Sequence, residues 1–260
     1  MIYFSIKKGA KRPVSYIIDK IEVVKEIEEN EEDKKLIEDL KVKKIQPEPL
    51  EPDPSNFIFQ KDSLKDFRKL LKDKKPITII AFGDSITAGA GLWRNHSPNE
   101  EKYTYHYFLR EMLEKEYSNK NIKMINAGIG GEKAVDGLKR VDKDVLSKKP
   151  DLVIVEFGGN DTELEVYKDA IIRIVDILLA KKIFIILVTP PKFVGSEDTK
   201  GDFVSFLKDF SKSRNIALVD YNGLFLSKGE EFIGELVGDE VHPNERGHLL
   251  FAKGLFKLLN

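Results

Sequence analysis

From residue 62 onward, largely apolar runs alternate with segments of helical spacing. Behind Ser63, the side chains of Leu64, Phe67, Leu70 and Leu71 fall on one face and predict a helix start. Largely apolar runs at 77–82, 122–127, 152–157, 183–188 and 216–219 predict five strands. Between and after them, apolar residues at helical spacing predict helices over 103–117, 133–146, 166–180, 203–211 and 244–259. Strands that are apolar throughout are buried on both faces, and strand–helix alternation produces parallel sheets covered by helices on both sides. The expected fold class is α/β: a three-layer α/β/α domain over 61–260 with a five-stranded parallel sheet. No internal repeat interrupts this pattern.

The N-terminal part reads differently. Residues 1–8 alternate apolar and polar positions like a strand. Residues 15–27 are apolar-rich without a clear period. Residues 31–40 are strongly charged, with Leu36, Ile37 and Leu40 on one helical stripe. Pro47, Pro49, Pro52 and Pro54 forbid helix and favour a stiff extended spacer. Residues 47–60 are therefore read as a linker. Residues 1–46, close to the lower size limit for a self-sufficient core, are read as a small arm or accessory segment that packs on the main domain or on a neighbouring subunit.

Composition narrows the chemistry. The 260 residues carry a formal net charge of −1, which offers no global field for nucleic acid or acidic membranes. The absence of cysteine excludes disulfides, zinc–thiolate sites and thiol nucleophiles. No stretch approaches the length of a membrane span. The apolar run in residues 1–13 is too short for a leader core and is interrupted by Lys7 and Lys8. The expectation is a cytoplasmic protein, although a secreted chain trimmed of its leader would read the same.

In a parallel α/β sheet, ligands bind at the carboxyl ends of the strands. The first predicted strand ends in Gly83-Asp84-Ser85-Ile86, the second in Asn126 to Gly131, the third in Gly158-Gly159-Asn160-Asp161. Asp239 and His242 follow the fifth strand and precede the last helix. All four segments are expected at one sheet edge. Acyl transfer needs an exposed serine with a base in reach, donors for the oxyanion, and a carboxylate to orient the base. Ser85 suits the nucleophile, although serine is also a good helix cap. Spaced three apart on a turn, Asp239 can hold the imidazole of His242. Asn160 can donate its amide and Gly131 its backbone N–H to an oxyanion, although both are common turn residues.

Together, Gly-Asp-Ser-Ile, Asn-x-x-x-x-Gly, Gly-x-Asn-Asp and Asp-x-x-His resemble the four sequence blocks of the SGNH/GDSL hydrolases over roughly residues 76–260. The resemblance implies a flavodoxin-like sheet and a serine esterase that needs no metal or organic cofactor. It assigns Ser85 as nucleophile, His242 as base and Asp239 as its orienter. The oxyanion hole would comprise the N–H groups of Ser85 and Gly131 and the Asn160 side chain. Asp84 and Asp161 are expected to be structural hydrogen-bonders. Trp93 and His96, in the loop after the nucleophile, are candidate substrate contacts. His106 and His248 sit in predicted helices and read as structural.

The expected substrate is a small-molecule or carbohydrate ester of a short acyl group, acetyl foremost. A lysophospholipase or thioesterase of the same family is the alternative. A metallophosphoesterase using Asp84, Asn160, Asp161 and His242 would need more histidine ligands than the sequence places there. A non-catalytic binding module fits poorly with a complete catalytic set. A dinucleotide fingerprint at Gly128-Ile-Gly130-Gly131 fails because Lys133 holds the third glycine's place.

Overall fold

The computed structural model describes residues 53–92, 101–192, 200–227, 229, 233–234, 236–239 and 241–260. The expected arm at 1–46, Trp93 and His96 lie outside the described residues, all of which belong to one unit, Glu51–Asn260.

The sheet is built from β1 (Ile58–Phe59), β2 (Ile77–Gly83), β3 (Ile122–Gly128), β4 (Leu152–Glu156), β5 (Phe184–Val188) and β6 (Ala217–Val219), in the order β1-β6-β5-β4-β2-β3. Strands β2 to β6 are parallel, and β1 pairs antiparallel with β6 through Ile58↔Val219 and Phe59↔Leu218. The expected sheet of five parallel strands is thus corrected to six strands, mostly parallel. The sixth lies in the stretch read as linker. Asp53 caps a 3-10 turn at Pro54–Phe57, and Asp220 N–H donates to the Phe57 carbonyl at 2.8 Å, which fastens this segment to the sheet edge. A two-residue strand is too short to carry a period, and its neighbouring prolines dominate the pattern.

Alternation along β2 explains the layers. Ile79 and Ala81 enter one core and Ile80 and Phe82 the other, each fully buried. The first core is closed by α1 (Lys65–Lys72), α3 (Tyr105–Tyr117), α7 (Tyr221–Leu226) and α8 (Glu245–Leu259). The second is closed by α4 (Ala134–Asp144), α5 (Leu164–Ala180) and α6 (Gly201–Arg214). The short helix α2 (Ser85–Ala88) follows β2 directly.

Register sets the level of the site. Gly83 pairs with Gly128 on one side and with Glu156 on the other, so the three strand ends lie side by side. Among the described residues, no helix is long and apolar enough to cross a membrane.

Candidate active site

The chain leaves β2 at Gly83 and starts α2 at once. A Cβ at Gly83 would stand 2.3 Å from the Glu156 carbonyl and from Thr87 Oγ1, so only glycine allows this close turn. Asp84 is the helix cap, its Oδ1 accepting from Ile86 N–H at 2.9 Å. The capping role therefore does not fall on Ser85, the first residue of the helix, and the serine hydroxyl is left for other work.

The base arrives from the far end of the sequence. A bridge between Val237 and Pro243, with Gly238 N–H donating to the His242 carbonyl at 2.8 Å, closes a tight turn around Asp239 and His242. Asn244 caps α8 through Gly247 N–H and anchors the turn. The His242 ring lies between the two partners. Its Nδ1 is 3.0 Å from Asp239 Oδ2, and its Nε2 is 2.9 Å from Ser85 Oγ. A carboxylate can only accept, so Nδ1 carries the hydrogen and the Nε2 lone pair faces the serine hydroxyl. Burial would raise the Asp239 carboxyl. Hydrogen bonds from the N–H and ring of His242 and from Val241 N–H outweigh it and bring the group down to about 2. Asp239 is thus a carboxylate at every working pH.

A Cβ at Gly130 would stand 3.9 Å from Ser85 Cβ, so the loop after β3 runs beside the serine. Among the described residues, neither Ser85 N–H nor Gly131 N–H has a hydrogen-bond partner. Gly131 adopts φ +79°, and among the described residues its missing Cβ would meet nothing within 4 Å. The Asn160 amide donates to the Glu132 carbonyl at 3.0 Å and makes a long contact of 3.4 Å to Asp84 Oδ2. The latter is beyond the usual N–H···O range, so that hydrogen is the one an oxyanion can compete for. Asp161 stands apart from the chemistry: it accepts from Ala134 N–H at 3.1 Å and holds the start of α4. His106 and His248 are fully buried in the helical layer.

Two residues that no motif singled out shape the site. Arg140 reaches back under the loops, donating to the carbonyls of Ala127 at 2.9 Å and Gly83 at 3.1 Å, and so ties the ends of β3 and β2 together. Glu156, the last residue of β4, is fully buried directly behind Asp84. Its signal was present in the sequence: an acid ending an apolar strand has no water to face and needs a partner. Arg140 had no such signal, because a surface arginine at helical spacing looks the same. Among the described residues, no group of three or more His, Cys, Asp and Glu side chains is arranged to hold a metal ion.

With this geometry in place, the chain can be compared with known proteins. The model of the GDSL-like lipase/acylhydrolase family matches residues 81–250, from β2 into α8. An acetylxylan esterase of Geobacillus stearothermophilus is 28% identical over 205 residues, which cover 69% of this chain and 92% of that protein. A solved two-domain esterase (CEX) active on acetylated mannans is similar with a TM-score of 0.63 and 25% identity. The match covers 76% of this chain and 52% of that one, so the chain spans about half its length. The acetyl xylan esterase AlAXEase is similar with a TM-score of 0.59 and 26% identity, over 70% of this chain and 98% of that one.

Proposed function

This chain belongs to the GDSL-like lipase/acylhydrolase family and is a carboxylic ester hydrolase, and from that premise we propose that it removes short acyl groups, acetyl foremost, from carbohydrate, with Ser85, His242 and Asp239 as its triad. The observation that carries the triad is the unbroken line Asp239–His242–Ser85, with both links at hydrogen-bond distance. The preference for acetylated carbohydrate is supported by the likeness to an acetylxylan esterase along nearly its whole length.

The proposed reaction uses these positions. The Ser85 hydroxyl gives its proton to His242 Nε2 as Oγ bonds to the ester carbonyl carbon. The imidazolium is stabilised by Asp239, which stays a carboxylate throughout. The carbonyl oxygen gains negative charge and is met by Ser85 N–H, Gly131 N–H and the Asn160 amide. Collapse breaks the bond to the sugar oxygen, which leaves with the proton from His242. Acetyl remains on Ser85. Water then loses a proton to the same nitrogen, attacks the acyl carbon, and releases acetate as the proton returns to Oγ. Every proton moves through one atom, His242 Nε2, which is why a single base serves both steps.

A panel of p-nitrophenyl esters of rising chain length, run beside acetate release from acetylated xylan, tests this. The expected outcome is a maximum at acetyl and measurable deacetylation of the polymer. A maximum at long chains would overturn the acetyl preference. Unchanged ester hydrolysis by Ser85→Ala would overturn the nucleophile.

A further inference from the structure

Behind the nucleophile lies a pair of carboxyl groups that the reaction does not use. Glu156 is 0% exposed and Asp84 is 1% exposed. Asp84 N–H donates to the Glu156 carbonyl at 3.3 Å, so two buried carboxyl groups share one dry space at the sheet edge, where two charges would repel and a proton on one of them relieves the repulsion. Thr87 Oγ1 donates to Glu156 Oε2 at 2.8 Å, and the Thr87 hydroxyl is itself 2.9 Å from Tyr105 OH. Glu156 Oε1 is buried and, among the described residues, receives no N–H or hydroxyl donor. A carboxylate oxygen left that way would be costly, whereas a protonated acid has a hydrogen to give.

Which acid holds the proton follows from the surroundings. Asp84 accepts from Ile86 N–H at 2.9 Å and is approached by the Asn160 amide, both of which favour its charged form. Burial, strengthened by the Asp84 charge, pushes Glu156 well above the usual carboxylate range. Burial also raises Asp84, but only to about 6. These contacts favour an ionised Asp84 and a neutral Glu156, the arrangement in which Glu156 donates to Asp84. An acid kept neutral by its apolar surroundings is an effective hydrogen-bond donor.

We propose that Glu156 is a positioning residue of the esterase site: as a neutral acid it fixes the Asp84 carboxylate, and Asp84 in turn sets both the nucleophile turn, through Ile86 N–H, and the oxyanion donor, through the Asn160 amide. The proposal rests on the roles given above to Ser85 and Asn160. Asp84 Oδ1 and Oδ2 face different functional elements, one on α2 and one in the loop after β4. A carboxylate free to rotate would lose both aims at once. Glu156 behind it, itself held by Thr87, removes that freedom.

The test uses Glu156→Gln, Glu156→Leu and Asn160→Ala, alone and combined, with Ser85→Ala as control. Glutamine keeps a neutral donor toward Asp84 and an acceptor toward Thr87, so kcat is expected close to wild type. Leucine keeps the volume without the donor. It is expected to lower kcat on the order of 10-fold or more, below the roughly 100–1,000-fold of losing an oxyanion donor outright, with KM little changed. In the Asn160→Ala background the leucine variant is expected to cost less, because one of the two aims it disturbs is already gone and only the loss through Ile86 N–H remains. Glutamine as damaging as leucine, or full additivity with Asn160→Ala, would overturn the proposal. So would a folded leucine variant with wild-type kcat. If the leucine variant does not fold, infrared spectroscopy decides on the wild type: the carbonyl band of a buried protonated acid at pH 7.5, absent from Glu156→Gln, is expected, and its absence from the wild type overturns the proposal. Unchanged activity in Ser85→Ala or Asn160→Ala would instead overturn the underlying site, a separate and recognisable result.

Discussion

His242 Nε2 lies 2.9 Å from Ser85 Oγ, although 157 positions separate the two residues in the chain. The contact exists because β2 delivers Ser85 to the sheet edge and the bridged turn before α8 delivers His242 to the same place. Neither residue has the chemistry alone. A serine hydroxyl is a weak nucleophile until a base takes its proton, and a solvent imidazole has no preferred direction.

The direction comes from Asp239, and its removal is the first prediction. Asp239→Asn preserves shape but lets the ring adopt the other tautomer and withdraws the charge that stabilises the imidazolium. A loss in kcat on the order of 1,000- to 10,000-fold is expected, with KM nearly unchanged. Because the hydrogen bonds around Asp239 bring it down to about 2, its titration lies below the assay range. An acid fall in kcat/KM within the assay range is therefore not the titration of Asp239. A pH–rate profile with steady-state kinetics checks both statements, and a variant with more than a tenth of wild-type kcat would remove Asp239 from the triad.

Asn160→Ala separates binding from catalysis. The amide is proposed to meet charge that exists only after Oγ attacks, so the substrate in its ground state should not miss it. The expected result is a fall in kcat of about 100- to 1,000-fold at similar KM. A rise in KM with kcat preserved would make Asn160 an ordinary substrate contact. The folded state should tolerate the change, since the half-buried side chain supports only the Glu132 carbonyl and the long Asp84 contact.

Much of this arrangement is legible in the sequence. The apolar runs that became β2 to β6 are long enough to reveal burial on both faces, and the polar residues that break them mark the sheet edge. The short spacing of Asp239 and His242 signals a shared turn. What is not legible is what depends on a partner elsewhere in the chain. Ile58–Phe59 forms a strand only because β6 offers it an edge. Glu156 is marked by the sequence as an acid in need of a partner, but which partner is visible only when register puts it beside Gly83 and hence behind Asp84. Arg140 matters because its helix lies under two strand ends.

Two glycines near the serine should respond oppositely to alanine. A Cβ at Gly128 would stand 2.3 Å from Ala88 N, a backbone atom of the nucleophile helix that cannot move aside cheaply. Gly128→Ala is expected to cost roughly 3 kcal/mol or more and to abolish activity by displacing α2. Among the described residues, a Cβ at Gly131 would meet nothing within 4 Å. Only its φ of +79° resists, at about 1 kcal/mol. Gly131→Ala should therefore keep its thermal midpoint within a few degrees while losing kcat, as its N–H swings off the oxyanion position. Thermal melts and kinetics on the pair decide this, and equal destabilisation would refute the contrast.

The two buried histidines predict how the fold fails in acid. Burial, with the Arg110 charge nearby, lowers His106 to about 3, and burial, with charge at His106 and His242, lowers His248 to about 3. Among the described residues, His106 Nδ1 and His248 Nε2 are buried without a hydrogen-bond partner, and His248 Nδ1 already accepts from Tyr105 N–H, so a second proton on either ring would be buried unpaired or displace that bond. In the unfolded chain both titrate near the ordinary 6.5. The unfolded state then binds more protons, and stability present above pH 6.5 is lost as pH falls toward 3, at about 1.4 kcal/mol per unit for each ring. The buried acids act in the opposite sense. Asp84 and Glu156, both raised, favour the fold most at low pH and lose that contribution as pH climbs through their folded values. Comparing a variant with the wild type cancels this opposing contribution. His106→Phe keeps the ring volume and removes one neutral imidazole, so its thermal midpoint should fall less than that of the wild type between pH 7 and pH 4.5. Parallel slopes in the two proteins would show that His106 takes up its proton while folded, and that acid unfolding begins elsewhere.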